Sequence, residues 1–152
     1  MTRKTKRKQP PDILQILKKL EQDTAKDVKK RLGGTWRDNL FEILMTRFDL
    51  ARPHKKLFSA LFTSRETPRL APRLIRDFYG TMDRMLDLAG IPASLLSSPC
   101  RPVAVTGFGA LYLSLIPVWL EDDSKDHAKT MAAVDRRLGL FEQGMEFCGG
   151  LS

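Results

Sequence analysis

Hydrophobic residues recur at steps of three and four along most of the chain, which is the spacing of one face of an α-helix. The first run predicts a helix from Asp12, which can cap its N-terminus, to Gly33-Gly34, which can end it in a left-handed conformation. Its apolar stripe is Ile13, Ile16, Leu17, Leu20, Thr24 and Val28. The opposite face is basic, as expected of a surface helix that packs one stripe or lies on a membrane.

Caps and breaks divide the following sequence into further helices. Thr35 and Asp38 have the spacing of a capping box, and Pro53 suits a first helical turn. Thr67-Pro68 breaks the pattern, and Gly90 stops it again. The pattern therefore predicts an all-α fold, a single bundle of about six helices. The inward positions are Trp36, Leu40, Phe41, Leu44, Phe48, Leu57, Phe58, Leu61, Phe62, Leu74, Ile75, Phe78, Met82, Met85 and Leu86.

The segment 103–120 contains no charged residue, and we interpret it as a helix buried at the centre of the bundle. Its length also reaches the lower edge of a membrane span. Gly107, Gly109, Pro117 and the acidic flank that follows favour the buried helix. A pair of short strands broken at 107–109 is a weaker alternative.

The last helix is predicted to begin at 122–124 and to end at Gly149-Gly150. Its inward positions repeat at steps of four and three, which is a heptad pattern: His127, Met131, Val134, Leu138, Phe141, Met145 and Cys148. Two interpretations are equally favoured, packing within the chain and pairing with a second copy. A homodimer interface would use Met131, Val134, Leu138, Phe141 and Met145.

Charge changes how the N-terminus is interpreted. The chain has 152 residues, 42% of them hydrophobic, and a net charge of +8. Residues 1–32 carry 11 Lys/Arg and 4 Asp/Glu, a net charge of +7, so the body is nearly neutral. We expect a disordered basic tail (1–11), a connecting helix (12–34) and a helical domain (35–152). The tail is either a solubilising terminus or an arm for nucleic acid or anionic lipid, through Arg3, Lys4, Lys6, Arg7 and Lys8.

Catalytic and metal-binding patterns are missing from the sequence, so we expect no enzymatic activity, cofactor or metal. Asp122, Asp123 and Asp126 are better explained as helix-capping acids than as ligands of a divalent ion. Cys100 and Cys148 cannot build a disulfide framework, and no secretory signal precedes the basic start. A cytoplasmic location follows as the expectation.

Aromatic and methionine side chains offer the best candidate for a binding function. Helical domains bind small molecules between helices, in sites with apolar walls and a few polar groups. The candidate lining residues are Phe58, Phe62, Phe78, Met82, Phe108 and Tyr112. Tyr112, Thr106 and Ser114 are the candidate polar groups. A filled core is the alternative for each residue.

Six blocks of the sequence carry a family resemblance: RDNLFEILM (37–45), RFD (47–49), PH (53–54), LAGI (88–91), VWLEDD (118–123) and KTMAAVDRRL (129–138). They resemble the C-terminal ligand-binding and dimerisation domain of TetR-type transcriptional regulators, in a subgroup related to lipid-binding accessory proteins of ubiquinone biosynthesis. The resemblance implies an all-helical dimer with a pocket between helices. Such regulators place a helix-turn-helix before this domain, whereas here a basic tail and one helix occupy that place.

The expected function is a non-enzymatic domain that binds a hydrophobic small molecule or lipid and forms a homodimer. One alternative is a DNA-associated regulator that uses the basic N-terminal segment, with an affinity that falls steeply with salt. The sequence is also compatible with a lipid-binding accessory protein of ubiquinone biosynthesis and with peripheral membrane contact. It is further compatible with a degenerate remnant of a longer regulator, or with a chain that forms mixed dimers with a full-length regulator.

Overall fold

A computed structural model describes residues 12–63, 67–97 and 99–150, and within these ranges it is helical without strands. The all-α prediction is confirmed. The basic residues Arg3, Lys4, Lys6, Arg7 and Lys8 lie outside the described residues. The helices are α1 (Ile13–Val28), α2 (Trp36–Ala51), α3 (Lys55–Thr63), α4 (Thr67–Ala89), α5 (Cys100–Glu121) and α6 (Ala128–Gly150), with a 3-10 turn at Arg52–His54 between α2 and α3.

α1, the predicted connecting helix, packs along α2 and also contacts α4. Asp12 caps it as predicted, because the Oδ1 atom of Asp12 accepts a hydrogen bond from the backbone N–H of Leu14 at 3.1 Å. The predicted end at Gly33-Gly34 is wrong. The helix ends at Val28, and the carbonyl oxygen of Val28 accepts hydrogen bonds from the backbone N–H groups of Arg31 and Leu32.

The central part of the chain follows its predicted caps. Thr35 and Asp38 form the reciprocal capping box at the start of α2, and Gly90 ends α4 with a φ of +77°, the conformation that favours glycine. Ile75 of α4 is a correction, since its side chain is 65% exposed. It points away because Phe78, Met82, Met85 and Leu86 already occupy the face that meets the core.

α5 is a helix, as predicted, but it is buried on one face only. The buried face meets α2, α4 and α6 and consists of Ala104, Val105, Phe108, Leu111, Tyr112, Leu115, Ile116 and Trp119. Phe78 of α4 packs beside Gly109, where an added Cβ would lie 3.1 Å from its ring. The opposite face of α5 is exposed and equally free of charge.

α5 and α6 form an antiparallel hairpin that is closed at both ends. At one end a disulfide joins Cys100, the first residue of α5, to Cys148 near the end of α6, with a Cα–Cα distance of 6.3 Å. At the other end is the loop 122–127, so α6 begins at Ala128, later than the predicted 122–124. The loop remains non-helical because Asp122 folds back to cap the helix from a distance.

Candidate functional site

Five of the six predicted pocket residues come together in one aromatic cluster: Phe58, Phe78, Met82, Phe108 and Tyr112. The Tyr112 ring is stacked on Phe48 at 5.6 Å and lies 5.9 Å from Phe78. Phe62 is not part of the cluster, because its side chain is 65% exposed. α3 is only nine residues long, and Phe58 is its one buried residue.

The aromatic cluster is filled rather than hollow. Met82 and Phe108 are fully buried, and Tyr112 is 2% exposed. Two of the three predicted polar groups lie outside it, since the hydroxyls of Thr106 and Ser114 donate to carbonyl oxygens of α5 itself, at 2.8 and 2.6 Å. Of those three groups, only Tyr112 is part of the cluster.

A buried arginine supplies a polar group that the sequence analysis missed. Arg47 of α2 is 4% exposed, and its Nε donates to the hydroxyl of Tyr112 at 2.9 Å while its guanidinium lies 5.4 Å from the centre of that ring. Its Nη1 atom is buried without a hydrogen-bond partner. The signal was present, because residue 47 follows Leu40 and Leu44 at helical spacing.

A carboxylate lies at the far side of Arg47. Glu21 of α1 accepts hydrogen bonds from Arg84 and from Thr81, the latter at 2.7 Å. Burial alone would raise the pKa of Glu21, but these bonds and the nearby cations, Arg47 included, hold that pKa below its ordinary value. The carboxylate thus remains ionised and ties α1 to α4.

The predicted heptad seam of α6 packs within the chain. Val134, Leu138 and Met145 are at most 3% exposed. Phe141 is partly buried and lies 5.6 Å from Phe108. Met131, at 43%, is the exposed member. The seam is therefore occupied by α2 and α5, and its buried residues are not free to contact a second copy.

The exposed apolar surface lies instead on the other side of the same hairpin, and we call it the outer face. Its α5 part carries no charged residue, while exposed Arg136 and Gln143 border its α6 part. The added Cβ of Gly107 would lie 4.0 Å from the ring of Phe141, which places this edge of α5 beside α6. Val103, Leu140 and Phe147 are between 65% and 70% exposed. The outer face consists of Val103, Thr106, Gly107, Ala110, Leu113, Ser114, Pro117, Leu140, Gly144 and Phe147.

Asp122 organises the loop between α5 and α6. Its carboxylate is 1% exposed and accepts hydrogen bonds from the backbone N–H and hydroxyl groups of both Ser124 and Thr130. Burial would raise the pKa of Asp122, but these bonds outweigh it and hold the pKa far below its ordinary value. Lys55 donates to the Asp122 carbonyl at 2.9 Å and lies over the Trp119 ring.

His127 belongs to the same loop and contacts the end of α2. It adopts a positive φ of 52°, and its Nε2 lies 2.9 Å from Nε of Arg52 and 3.2 Å from Oδ1 of Asp49. These contacts join the end of α2 to the loop. No group of metal-ligating side chains occurs among the described residues. At the start of α6, Asp122 accepts a hydrogen bond from the backbone N–H of Thr130, and Asp126 accepts one from that of Ala128.

Two shallow cavities lie between α2 and α6, away from the aromatic cluster. One, of about 170 Å³, is lined by Arg37, Asp38, Phe41, Asp135 and Leu138. The other, of about 380 Å³, is lined by Phe41, Asp126, Ala128, Met131, Ala132 and Asp135. Neither cavity contains a residue of the predicted pocket.

By length and composition, α5 is the one helix in the described part of the chain that could cross a membrane. Less than half of its most apolar window is buried, 44%. No family model, curated protein or solved structure matches this chain.

Proposed function

We propose that this chain is a non-enzymatic helical domain, similar to the ligand-binding domain of TetR-type regulators, that forms a homodimer through its outer face and binds a hydrophobic ligand. The observation that carries the dimer is the uncharged exposed face of α5, together with the exposed apolar side chains Leu140 and Phe147 of α6. A soluble helix normally places charged residues on its exposed side, whereas α5 exposes none between Pro102 and Leu120. Exposed apolar surface of this kind marks an interaction site.

The shape of the outer face favours a second copy as the occupant. The outer face has a depression formed by three small residues, Gly107, Ala110 and Gly144. Two large exposed side chains, Leu140 and Phe147, project beside it. Two copies related by a twofold axis could place the large side chains of each over the small residues of the other, since a twofold interface is self-complementary. The absence of charge in the α5 part of this face removes the repulsion that two identical charged surfaces would meet.

Sedimentation equilibrium tests this assignment with two variants of the same helix. Leu140→Glu places a charge in the outer face and is expected to weaken the dimer roughly 100-fold. Met131→Glu, at the exposed residue of the predicted seam, should leave the dissociation constant unchanged. Dissociation by Met131→Glu alone, or a monomeric wild type at tens of micromolar, would refute the outer face as the dimer surface.

The proposed ligand is an amphiphile that carries an anionic group. The aromatic cluster offers apolar contact, and the partnerless Nη1 of Arg47 offers a buried hydrogen-bond donor. The cluster is closed without ligand, so binding requires an element to move. α3 is the candidate, because Phe58 is its one buried residue and its displacement exposes the least core.

Native mass spectrometry of gently purified protein tests the ligand. The wild type is expected to retain an acidic amphiphile that Arg47→Met loses. The matched control is Arg37→Met, since Arg37 pairs with Asp135 and Glu142 at the surface. Tyr112→Phe tests the same group with a smaller change and should lower occupancy. Equal occupancy in wild type, Arg47→Met and Tyr112→Phe would contradict the proposed role of Arg47.

A further inference from the structure

The disulfide lies at the open end of the α5–α6 hairpin, beside the outer face. Cys100 precedes Val103 by one turn of α5, and Cys148 directly follows Phe147. The connection between α4 and α5 also meets α6 there, since Leu95 lies against Gly149. The bond therefore holds the last turn of α6 against two other parts of the chain.

The two cysteines differ in burial. Cys100 is 6% exposed, while Cys148 is half-buried and follows the exposed Phe147. Thiol–disulfide exchange requires an incoming thiolate to reach one sulfur in line with the bond. We therefore expect attack at the less buried cysteine, Cys148.

The environment of Cys100 favours its sulfur as the leaving group in thiol–disulfide exchange. It is the first residue of a 22-residue helix, and Pro99 provides no side-chain cap there. Helix N-termini stabilise a thiolate through their free N–H groups and dipole. The neighbouring Arg101 is paired with Asp83 and Asp87, so the helix end, rather than a free guanidinium, provides this stabilisation.

We propose that Cys100–Cys148 is a thiol–disulfide exchange site for a cellular dithiol, and that its redox state controls the order of the end of α6. The thiolate of the dithiol attacks Sγ of Cys148, and Cys100 leaves as a thiolate that takes up a proton. The second thiol of the reductant then displaces Cys148 and closes the reductant's own disulfide. The protein gains two electrons and two protons, and the reductant loses the same; a small disulfide such as oxidised glutathione reverses the reaction.

Reduction should loosen the end of α6 rather than unfold the domain. Sγ of Cys100 lies 3.6 Å from the carbonyl oxygen of Cys148, so a thiol there retains one weak acceptor. The remainder of α6 is held by its buried seam. Phe147 is in the loosened turn, so reduction should also weaken the dimer; this second effect rests on the proposed function.

Two mass-spectrometric measurements on the full chain test the exchange site. Brief treatment with glutathione, followed by alkylation, should place glutathione on Cys148 and the alkyl group on Cys100. Hydrogen exchange of peptides covering 141–150 should become at least tenfold faster on reduction with dithiothreitol. The Cys100→Ser/Cys148→Ser double variant should exchange fast and be unaffected by dithiothreitol. Glutathione on Cys100, or equal exchange in both redox states, would overturn the inference.

Sedimentation in the two redox states separates this inference from the proposed function. A dimer that weakens on reduction supports both. A chain that is monomeric in both states refutes the proposed dimer, while faster exchange of 141–150 on reduction would still support the redox site. A dimer of equal strength in both states, with unchanged exchange, refutes the redox control alone.

Discussion

The two ends of the α5–α6 hairpin are held together by different chemistry. At the loop end, a buried carboxylate collects four hydrogen bonds, and Lys55 and His127 add contacts from α2, α3 and the turn between them. At the open end, one covalent bond joins the two helices beside exposed Val103 and Phe147. The first end therefore depends on pH, and the second on redox state.

The largest expected effect is the loss of the covalent bond. Its cysteines are 48 residues apart in sequence, and cross-linking a loop of that length restricts the unfolded chain by about 4 kcal/mol in the chain-entropy model. Urea denaturation of the Cys100→Ser/Cys148→Ser variant should show this loss relative to the oxidised wild type. A difference under about 1 kcal/mol would show that the bond does not constrain the chain.

The next largest effect is expected from Asp122→Ala at the loop end. The substitution leaves the backbone N–H and hydroxyl of Thr130 buried without their acceptor, and bonds to a charged group of this kind are strong. We expect a loss of about 3 kcal/mol in urea denaturation. The exposed neighbour provides the control, since Asp123→Ala should change stability by less than about 0.5 kcal/mol.

The stability of Asp122→Asn as a function of pH distinguishes the loop end of the hairpin, which depends on an ionised carboxylate, from the disulfide end. Folding lowers the pKa of Asp122. The contribution of its carboxylate to the stability of the folded state is therefore fully present above the unfolded pKa, about 3.9, and is lost as the pH falls through the folded pKa. The variant should therefore be about 2 kcal/mol less stable at pH 7, and this gap should narrow below about pH 4. A gap that widens in acid would contradict the assignment.

The smallest expected effect is that of Lys55→Ala, about 1 kcal/mol. Lys55 contributes one hydrogen bond to the Asp122 carbonyl and a contact with the face of Trp119 at 5.3 Å. Lys56→Ala is the matched control, because Lys56 is exposed on the same helix. Thermal unfolding of the two variants measures the difference; equal midpoints would remove Lys55 from the loop-end network.

The sequence predicted elements wherever a local signal was sufficient. The capping box at Thr35 and the glycine stop at Gly90 depend on neighbouring residues, and both lie where expected. The heptad pattern of α6 indicated the buried face at Val134, Leu138 and Met145, but it also placed Met131 inward, which is 43% exposed. Periodicity does not specify what covers that face, so Val134 and Leu138 were equally compatible with a partner helix and with the α2–α5 core that buries them.

Long-range pairings could not be predicted. Cys100 and Cys148 become neighbours only because α5 and α6 are antiparallel and nearly equal in length. Arg47 was predictable in part. Its inward position follows from helical spacing, but its hydrogen-bond partner, the hydroxyl of Tyr112, lies 65 residues away in the sequence. Helical spacing identified Phe58, Phe78, Met82, Phe108 and Tyr112 as inward residues, and Phe62 wrongly so. Their role as ligand contacts stays a prediction, because spacing does not encode whether the cluster has room for a ligand.

The two glycines in the middle of α5 should have different evolutionary histories. At Gly109 an added Cβ would lie 3.1 Å from the Phe78 ring, so a larger residue there requires the ring to shift and should be found less often than at Gly107. Gly107 meets only the edge of Phe141 within its own chain, so its drift would be limited chiefly by whatever adjoins the outer face. Comparing the substitution rates at positions 107 and 109 among relatives would therefore show whether a partner has covered the outer face during evolution.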